Sequence, residues 1–460
     1  MSNALLLRLD PLIDMYATPE MRAIFDARKQ VQYWLDVEAA LARVQARLGL
    51  IPTSAAEEIS RQARAEAIDM EKLHNGTQLV GYPILPLIQQ LADLCEGEAG
   101  SYVHWGATTQ DIMDTAVILQ LRDALEYLTR DLNTLINILC SLAQRHCRTV
   151  MAGRTHGQHA LPITFGFKVA VWIDELRRHS ERFEQCRPRL LRCQLGGAVG
   201  TLASFGSNGW KIHQALAEEL RLNPAPIAWH TARDSLCELV AICSMLSATL
   251  GKMANEVASL QKTEVAEVSE SFVPGKGSSS TMPQKRNPIL CEIVVGLARL
   301  MTQPISTMLA AMMPEHERAM GEWHIEWIAI PQTCCFTAAA LHYSIAIFND
   351  LTVSPEAMQK NLALTHGNIM AEAIQMRLAI HIGRHRAHEL MYEACLLADQ
   401  RGQSLRAILL EMPEVRSIIS ESELDYLLEP ANYIGLAVEM TDRIVDSARK
   451  ESHSPGRSAI

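Results

Sequence analysis

The chain has 460 residues, 48% of them hydrophobic and 20% charged, with a formal net charge of −10 at neutral pH. That length and apolar content suit about three domains, or one elongated helical body with appendages, around a sizeable core. The acidic balance argues against nucleic acid or an anionic membrane surface as partner, so a polyanionic ligand has to be met by a local positive site. Aromatic residues make up only 5%, which favours helix-on-helix packing over sheets.

Near the start, Asp10, Asp14 and Glu20 interrupt any apolar core of a signal peptide. Nowhere do about 18 consecutive apolar residues occur, so no membrane span is expected. Eleven cysteines without a C-x-x-C pair read as buried free thiols in a reducing cytoplasm. The segment His104-Trp105-Gly106-Ala107-Thr108-Thr109-Gln110-Asp111 sets two hydroxyls and an amide ahead of a helix, a donor cluster suited to a carboxylate, with plain helix capping as the alternative. From Ile112 to His146, Leu121, Leu125, Leu128, Leu132, Leu135, Leu139 and Leu142 alternate in steps of four and three, a sustained helical stripe. Gly153 to Ala160 holds His156 and His159 in a Gly-flanked turn, and a second long helix is predicted from just after Pro162 to about Cys186. Leu195 to Gly200 lacks a strand–helix context and reads as a tight bend. A third helical stripe runs from Asp234 to Glu270 through Leu236, Val240, Cys243, Leu246, Leu250, Met253, Val257 and Leu260, and a fourth from Pro288 to near Met313. Arg233 and Arg318 are candidate carboxylate clamps, since guanidinium grips carboxylates bidentately, and structural ion pairing is the competing role. His381, His385 and His388 sit at spacings that place them on one helical face, read as a solvated face and not as a metal site. The tail from Glu451 to Ile460 is expected to be disordered.

The most specific segment is Gly275-Lys276-Gly277-Ser278-Ser279-Ser280-Thr281-Met282-Pro283-Gln284-Lys285-Arg286-Asn287-Pro288. Its glycines permit positive φ, and Pro288 marks a helix start. Lys285 and Asn287 are therefore expected beside unpaired helix N–H groups, a place that attracts anions. Ser279-Ser280-Thr281-Met282-Pro283, with Lys285 and Asn287 at their spacing, resembles the signature of the fumarase/aspartase superfamily. Ser278 departs from it, standing where many relatives have a second Gly.

The resemblance implies an all-α fold of three mostly helical domains with a central long-helix bundle that forms the core of a homotetramer. The expected partition is an N-terminal domain at 1–110, the bundle at 111–355, a C-terminal domain at 356–448 and a tail at 449–460. It implies a lyase with no metal or organic cofactor, acting on a small polycarboxylate in the cytoplasm, with three chains contributing to each active site. It makes Ser279 the general base, its proton made labile by Lys285, and gives His156, paired with Glu292, to the catalytic constellation. Substrate contacts fall on His104, Thr108, Thr109, Gln110, Thr155, Gln158, Ser280, Met282 and Asn287, together with the clamps Arg233 and Arg318. The expected reaction is reversible anti-elimination on a succinate-like substrate, giving fumarate or a substituted fumarate. The body as a whole is similar to the bacterial carboxymuconate cycloisomerase branch, which makes cycloisomerisation the second reading. In that branch, however, the position of His156 is commonly Trp and that of Glu292 commonly not acidic.

Overall fold

The computed structural model describes residues 12–271, 275, 277, 281–318 and 320–452. Among them, helix dominates. The helices that position the site are α1 (Ala27–Arg47), α2 (Thr109–Arg145), α3 (Phe165–Leu190), α4 (Asp234–Leu260), α5 (Ile289–Leu300), α6 (Thr302–Ala311) and α7 (Glu322–Asn349), followed by α8 (Ala371–Ile382) and α9 (Arg384–Arg401). All seven leucines of the α2 stripe and all eight apolar residues of the α4 stripe are buried. Each such side chain contributes roughly 1.5–3 kcal/mol of transfer free energy, which is why the 3.6-residue period was so plainly written in the sequence.

α2 opens on one half of a capping box. Thr108 precedes the first helical residue, and the Asp111 carboxylate reaches back to accept the Thr108 backbone N–H at 3.0 Å. α4 ends at Leu260, ten residues short of the expected Glu270. Beyond it Ala266 takes φ 52°, and Val268–Ser269 pairs antiparallel with Thr352–Val353. The fourth predicted run divides at Met301 into α5 and α6. Gly383, at φ 78°, separates α8 from α9, so His381 lies on one helix and His385 and His388 on the next. The single face expected for the three does not form.

The chain is mostly helical as expected, and a strand pair interrupts the helices at one place that matters. Val150–Thr155 (β1) and Gln158–Thr164 (β2) form an antiparallel hairpin. Thr155 pairs with Gln158, leaving His156 (φ 52°) and Gly157 (φ 77°) as a two-residue turn with both φ positive. Such turns match the right-handed twist of the flanking strands. A register shift falls between Ala152 and Arg154. At Gly153 a Cβ would come within 2.8 Å of the Leu161 carbonyl oxygen, so the bulge requires glycine. The base of the hairpin is seated by Ala152, which packs with Leu362, Ile369 and Met370.

The chain forms two compact units. The first comprises the residues to Leu132, His179–Gly251 and Ile293–His342; the second comprises Asn133–Arg178, Lys252–Glu292 and the chain from Tyr343 onward. Every division falls inside a helix, so neither unit is a continuous stretch. The second unit contains the hairpin, the signature segment and a C-terminal core built on Ile374, Leu378, Leu390, Met391, Leu405 and Ile408.

Candidate active site

In the first unit, the triplet Thr108-Thr109-Gln110 is held by a buried polar network centred on Asp111. Besides capping α2, the Asp111 carboxylate accepts the backbone N–H groups of Gly196 (2.8 Å) and Gly197 (2.9 Å) and meets His230 Nε2 at 2.8 Å. Asp111 is fully buried. The bend read from Leu195 to Gly200 is thus wrapped around this one carboxylate, and Gly197 and Gly200 both adopt positive φ. Gln110 donates from Nε2 to the His230 carbonyl at 2.9 Å and accepts from Arg318 Nε at 3.0 Å. Arg318 Nη1 donates to the Ala198 carbonyl at 3.0 Å. Arg318 Nη2 is buried and has no hydrogen-bond partner among the described residues. The hydroxyls of Thr108 and Thr109, both half-buried, make no hydrogen bond to the described residues. Three donors are therefore left unspent around a rigid frame. Gln110, expected as a substrate contact, spends its carbonyl and one N–H on that frame and orients Arg318.

Arg233 is corrected. Its guanidinium donates to Asp114 (2.8 and 3.0 Å) and to Glu326 (2.8 and 2.5 Å), and Trp323 Nε1 donates to Asp114 at 3.1 Å. With side-chain exposures of 2%, 1% and 3% for Arg233, Asp114 and Glu326, the cluster is sealed. Trp229 covers the guanidinium at 4.9 Å. Burial pushes the Glu326 carboxyl up despite Arg233. Arg233 is an internal ion-pair hub that fixes α2, α4 and α7, and no substrate carboxylate reaches it.

His104 stands at φ 60° in the turn before the triplet, with Nδ1 2.6 Å from the buried carboxylate of Glu38 on α1. The sequence reading missed Glu38, as it missed the hub role of Asp111; an acidic residue inside the apolar face of a helix was the one available signal.

In the second unit, Thr155, His156, Gly157 and Gln158 are all exposed at the hairpin tip, and the side chains of Thr155, His156 and Gln158 make no hydrogen bond to the described residues. Directly behind them Arg154 is engaged by a carboxylate. It forms a bidentate pair with Glu267 (2.9 and 2.7 Å), whose carboxylate also accepts from Asn361 Nδ2 at 2.8 Å. Glu292 is exposed on the first turns of α5, and no hydrogen bond or ion pair joins it to His156 within one chain. The expected pair is not made by a single copy.

Ser279 and Ser280 lie outside the described residues, as does the tail beyond 452. The ends of the signature segment are described. Asn287 N–H donates to the Gly277 carbonyl at 3.1 Å. Gly277 has φ +67°, and a Cβ there would lie 2.7 Å from the Asn287 carbonyl oxygen. Lys285 is exposed and makes no ion pair with the described residues. Met282 is 42% exposed. The start of α5 differs from expectation: its N–H groups do not await a ligand, because Glu270 already accepts from Cys291 N–H at 2.8 Å and, more weakly, from Leu290 N–H at 3.4 Å. The positive end of the helix dipole is met by the chain's own carboxylate.

Among the described residues no three His, Cys, Asp or Glu side chains gather as a metal site would require.

The sequence pattern of the family described as Lyase matches residues 15–301, and that described as Adenylosuccinate lyase C-terminus matches 367–444. The 3-carboxy-cis,cis-muconate cycloisomerase of Pseudomonas aeruginosa is 43% identical over 450 residues, 97% of each chain. The N-acetyl-S-(2-succino)cysteine lyase of Dickeya dadantii is 38% identical over 430 residues, 94% of each chain. The crystal structure of the 3-carboxy-cis,cis-muconate lactonizing enzyme from Pseudomonas putida superposes with a TM-score of 0.92 at 41% identity, over 96% of this chain and 99% of that one. With the fold, the signature spacing and near-full-length identity in agreement, the chain belongs to the fumarase/aspartase superfamily of lyases.

Proposed function

We propose that the protein catalyses reversible anti-elimination on a succinate-like polycarboxylate, releasing fumarate or a substituted fumarate, at sites assembled from more than one copy of the chain. The observation that supports this reading most is the contrast between spent and unspent groups. Asp111, Arg233 and Arg154 are engaged internally by opposite charges or backbone N–H groups, whereas Arg318 Nη2 and the side chains of Thr108, Thr109, His156 and Lys285 make no hydrogen bond or ion pair to the described residues. Donors so placed beside engaged frames suit a polyanion. A carboxylate held by Arg318 and the two threonines acidifies its α-carbon, because charge that develops on the carboxylate oxygens meets donors already in place.

In this mechanism Ser279, made basic by Lys285, takes the α-proton, and Asn287 and Lys285 hold the resulting aci-carboxylate. An unassisted serine hydroxyl is a very poor base, so the reaction depends on that cation. The C–N, C–O or C–S bond on the neighbouring carbon then breaks as His156 supplies a proton to the leaving atom. Glu292 of another copy holds His156 in the tautomer this demands. The presence of both His156 and Glu292 favours elimination, as does the named activity of the D. dadantii relative. The P. aeruginosa relative, at 43% identity, favours the second reading, cycloisomerisation of 3-carboxymuconate, in which the attacking and departing group is a carboxylate of the same molecule.

A panel of succinyl-amines, succinyl-thiols, hydroxy acids and 3-carboxymuconate, followed by ultraviolet absorbance of the unsaturated acid, separates the two. Ser279→Ala is expected to lower kcat by about 10²–10⁴-fold with the oligomer intact. Full activity in that variant rejects the mechanism.

A further inference from the structure

We propose that the group leaving the substrate bears an apolar ring and no anion, and that a cavity walled by α1, α2 and α7 receives it. The inference rests on the elimination reading above and narrows it to succinyl derivatives of arylalkyl amines, alcohols or thiols.

The cavity has a volume of about 430 Å³, within the roughly 300–1,000 Å³ of small-molecule sites. It lies wholly in the first unit. On α2 its wall is Met113, Val117 and Gln120, spaced four and three apart and therefore on one face of the helix. Thr109 is the next residue on that face toward the helix start, one turn before Met113 and about 5–6 Å from it between Cβ atoms. Likewise Gln110, whose carbonyl accepts from Arg318, stands one turn before Asp114, another wall residue. A dicarboxylate held by Arg318 and the threonines thus has the cavity within one helical turn, the reach of a short side arm. The facing walls are Val31 and Trp34 on α1 and Trp323, Trp327 and Ile330 on α7. Their aromatic part is fixed before any ligand arrives. Trp323 meets Trp327 edge to face at 5.1 Å, and Tyr82 stacks on Trp323 at 5.9 Å. Rings so held give a ligand ring broad apolar contact and lose little freedom when it binds. Charge selects against an anion. No lysine or arginine lines the cavity. The carboxylates in its wall, Asp114 and Glu326, face the single guanidinium of Arg233, and His74, the remaining titratable wall residue, is exposed. A phosphate or further carboxylate entering this space would lose its hydration and find no partner.

The test uses the intact protein with succinate, 2-benzylsuccinate and propane-1,2,3-tricarboxylate as probes. None carries a nitrogen, hydroxyl or sulfur to lose, so binding is read apart from turnover. Calorimetry is expected to show benzylsuccinate bound at least about tenfold tighter than succinate, and the tricarboxylate no tighter than succinate. Val117→Trp, which fills the cavity, is expected to erase the benzyl preference and leave succinate binding unchanged. Thr77→Phe fills it from the helix Met70–Val80 and makes the same test should Val117→Trp not fold. In turnover, N-(2-phenylethyl)aspartate is expected to yield fumarate and 2-phenylethylamine, with kcat/KM at least about tenfold above that of N-(carboxymethyl)aspartate. Equal affinity for succinate and benzylsuccinate, tighter binding of the tricarboxylate, or a benzyl preference that survives the filling substitutions overturns the proposal. So does a loss of succinate affinity in step with that for benzylsuccinate, since the substitution then acts through the fold and not through the cavity. If the benzyl preference and its loss on filling are found but no succinyl compound is turned over, the elimination reading falls and the ring-binding cavity stands. Turnover without the preference keeps the elimination reading and strikes the cavity's role.

Discussion

Asp111 shows how one side chain organises a site it does not itself serve. It closes the first turn of α2, draws the Gly196–Gly197 bend inward and meets His230. Asp111→Asn keeps the size but replaces one acceptor oxygen with a donor facing N–H groups. The expected loss is about 2–3 kcal/mol of stability, within the range for a buried polar group left mispaired. Thermal unfolding measures it, and KM for the dicarboxylate should rise because Thr108 and Arg318 lose their frame. An unchanged melting temperature would mean that the network is not stabilising. His213 makes a second residue-scale case. Fully buried, it accepts the Ala225 N–H at Nε2 (3.0 Å) and stacks on Trp210. Burial holds its pKa below the ordinary imidazole value. The unfolded chain therefore binds the proton first as pH falls, so His213 contributes stability above the unfolded value of about 6.5 and loses it below, by up to about 1.4 kcal/mol per pH unit. Melting temperatures between neutral pH and about pH 5 should fall more steeply in the wild-type protein than in His213→Gln; parallel curves contradict this.

At the scale of elements, the long helices were legible because one physical signal, apolar spacing at three and four, is decided locally and confirmed by burial. The β1–β2 hairpin was not. Ala152, Leu161 and Ile163 do not alternate cleanly with polar residues, Pro162 interrupts β2, and the pairing is stabilised by contacts distant in sequence, Ala152 on Leu362 and Arg154 on Glu267. Only His156-Gly157 carried a local hint, since a residue followed by Gly is what a two-residue turn prefers. The overrun of α4 has the same origin: Glu267 is claimed by Arg154 and Asn361, and that tertiary demand ends the helix. The signature segment was legible as chemistry but not as electrostatics, because nothing local reveals that Glu270 returns to fill the start of α5. Its closure makes a prediction. Gly277→Ala forces a Cβ to within 2.7 Å of the Asn287 carbonyl oxygen at φ +67°, a strain of about 1–3 kcal/mol paid where Asn287 and Lys285 are positioned. We expect kcat/KM to fall at least about tenfold with helix content unchanged by circular dichroism. A fully active Gly277→Ala variant would show that the ends of this loop need not be held.

At the scale of the whole molecule, the exposed apolar residues ask for a partner. The 23-residue stretch Ile289–Ala311 has a mean hydropathy of 1.4 in its most apolar window, yet only 33% of that window is buried, against 72% in α4. Leu309, Met313, Met320 and Ile328 are 54%, 68%, 88% and 55% exposed. Exposed apolar residues mark an interface where they lie together on one copy, and we propose a homotetramer, to be checked by light scattering. In the proposed assembly, His156 and Glu292, exposed and without a hydrogen bond or ion pair to the described residues, are brought together by pairing the hairpin tip of one copy with the signature segment of another. Mixing decides it. His156→Asn and Ser279→Ala are each expected to be inactive alone. After they are co-refolded in equal amounts, a site that draws the histidine from one chain and the serine from another is intact when both donors are the wild-type half of their variant. Random assembly of a closed oligomer then restores about a quarter of the wild-type activity. If histidine and serine of the same chain serve one site, every mixed assembly stays inactive, and the composite site proposed for this enzyme is wrong.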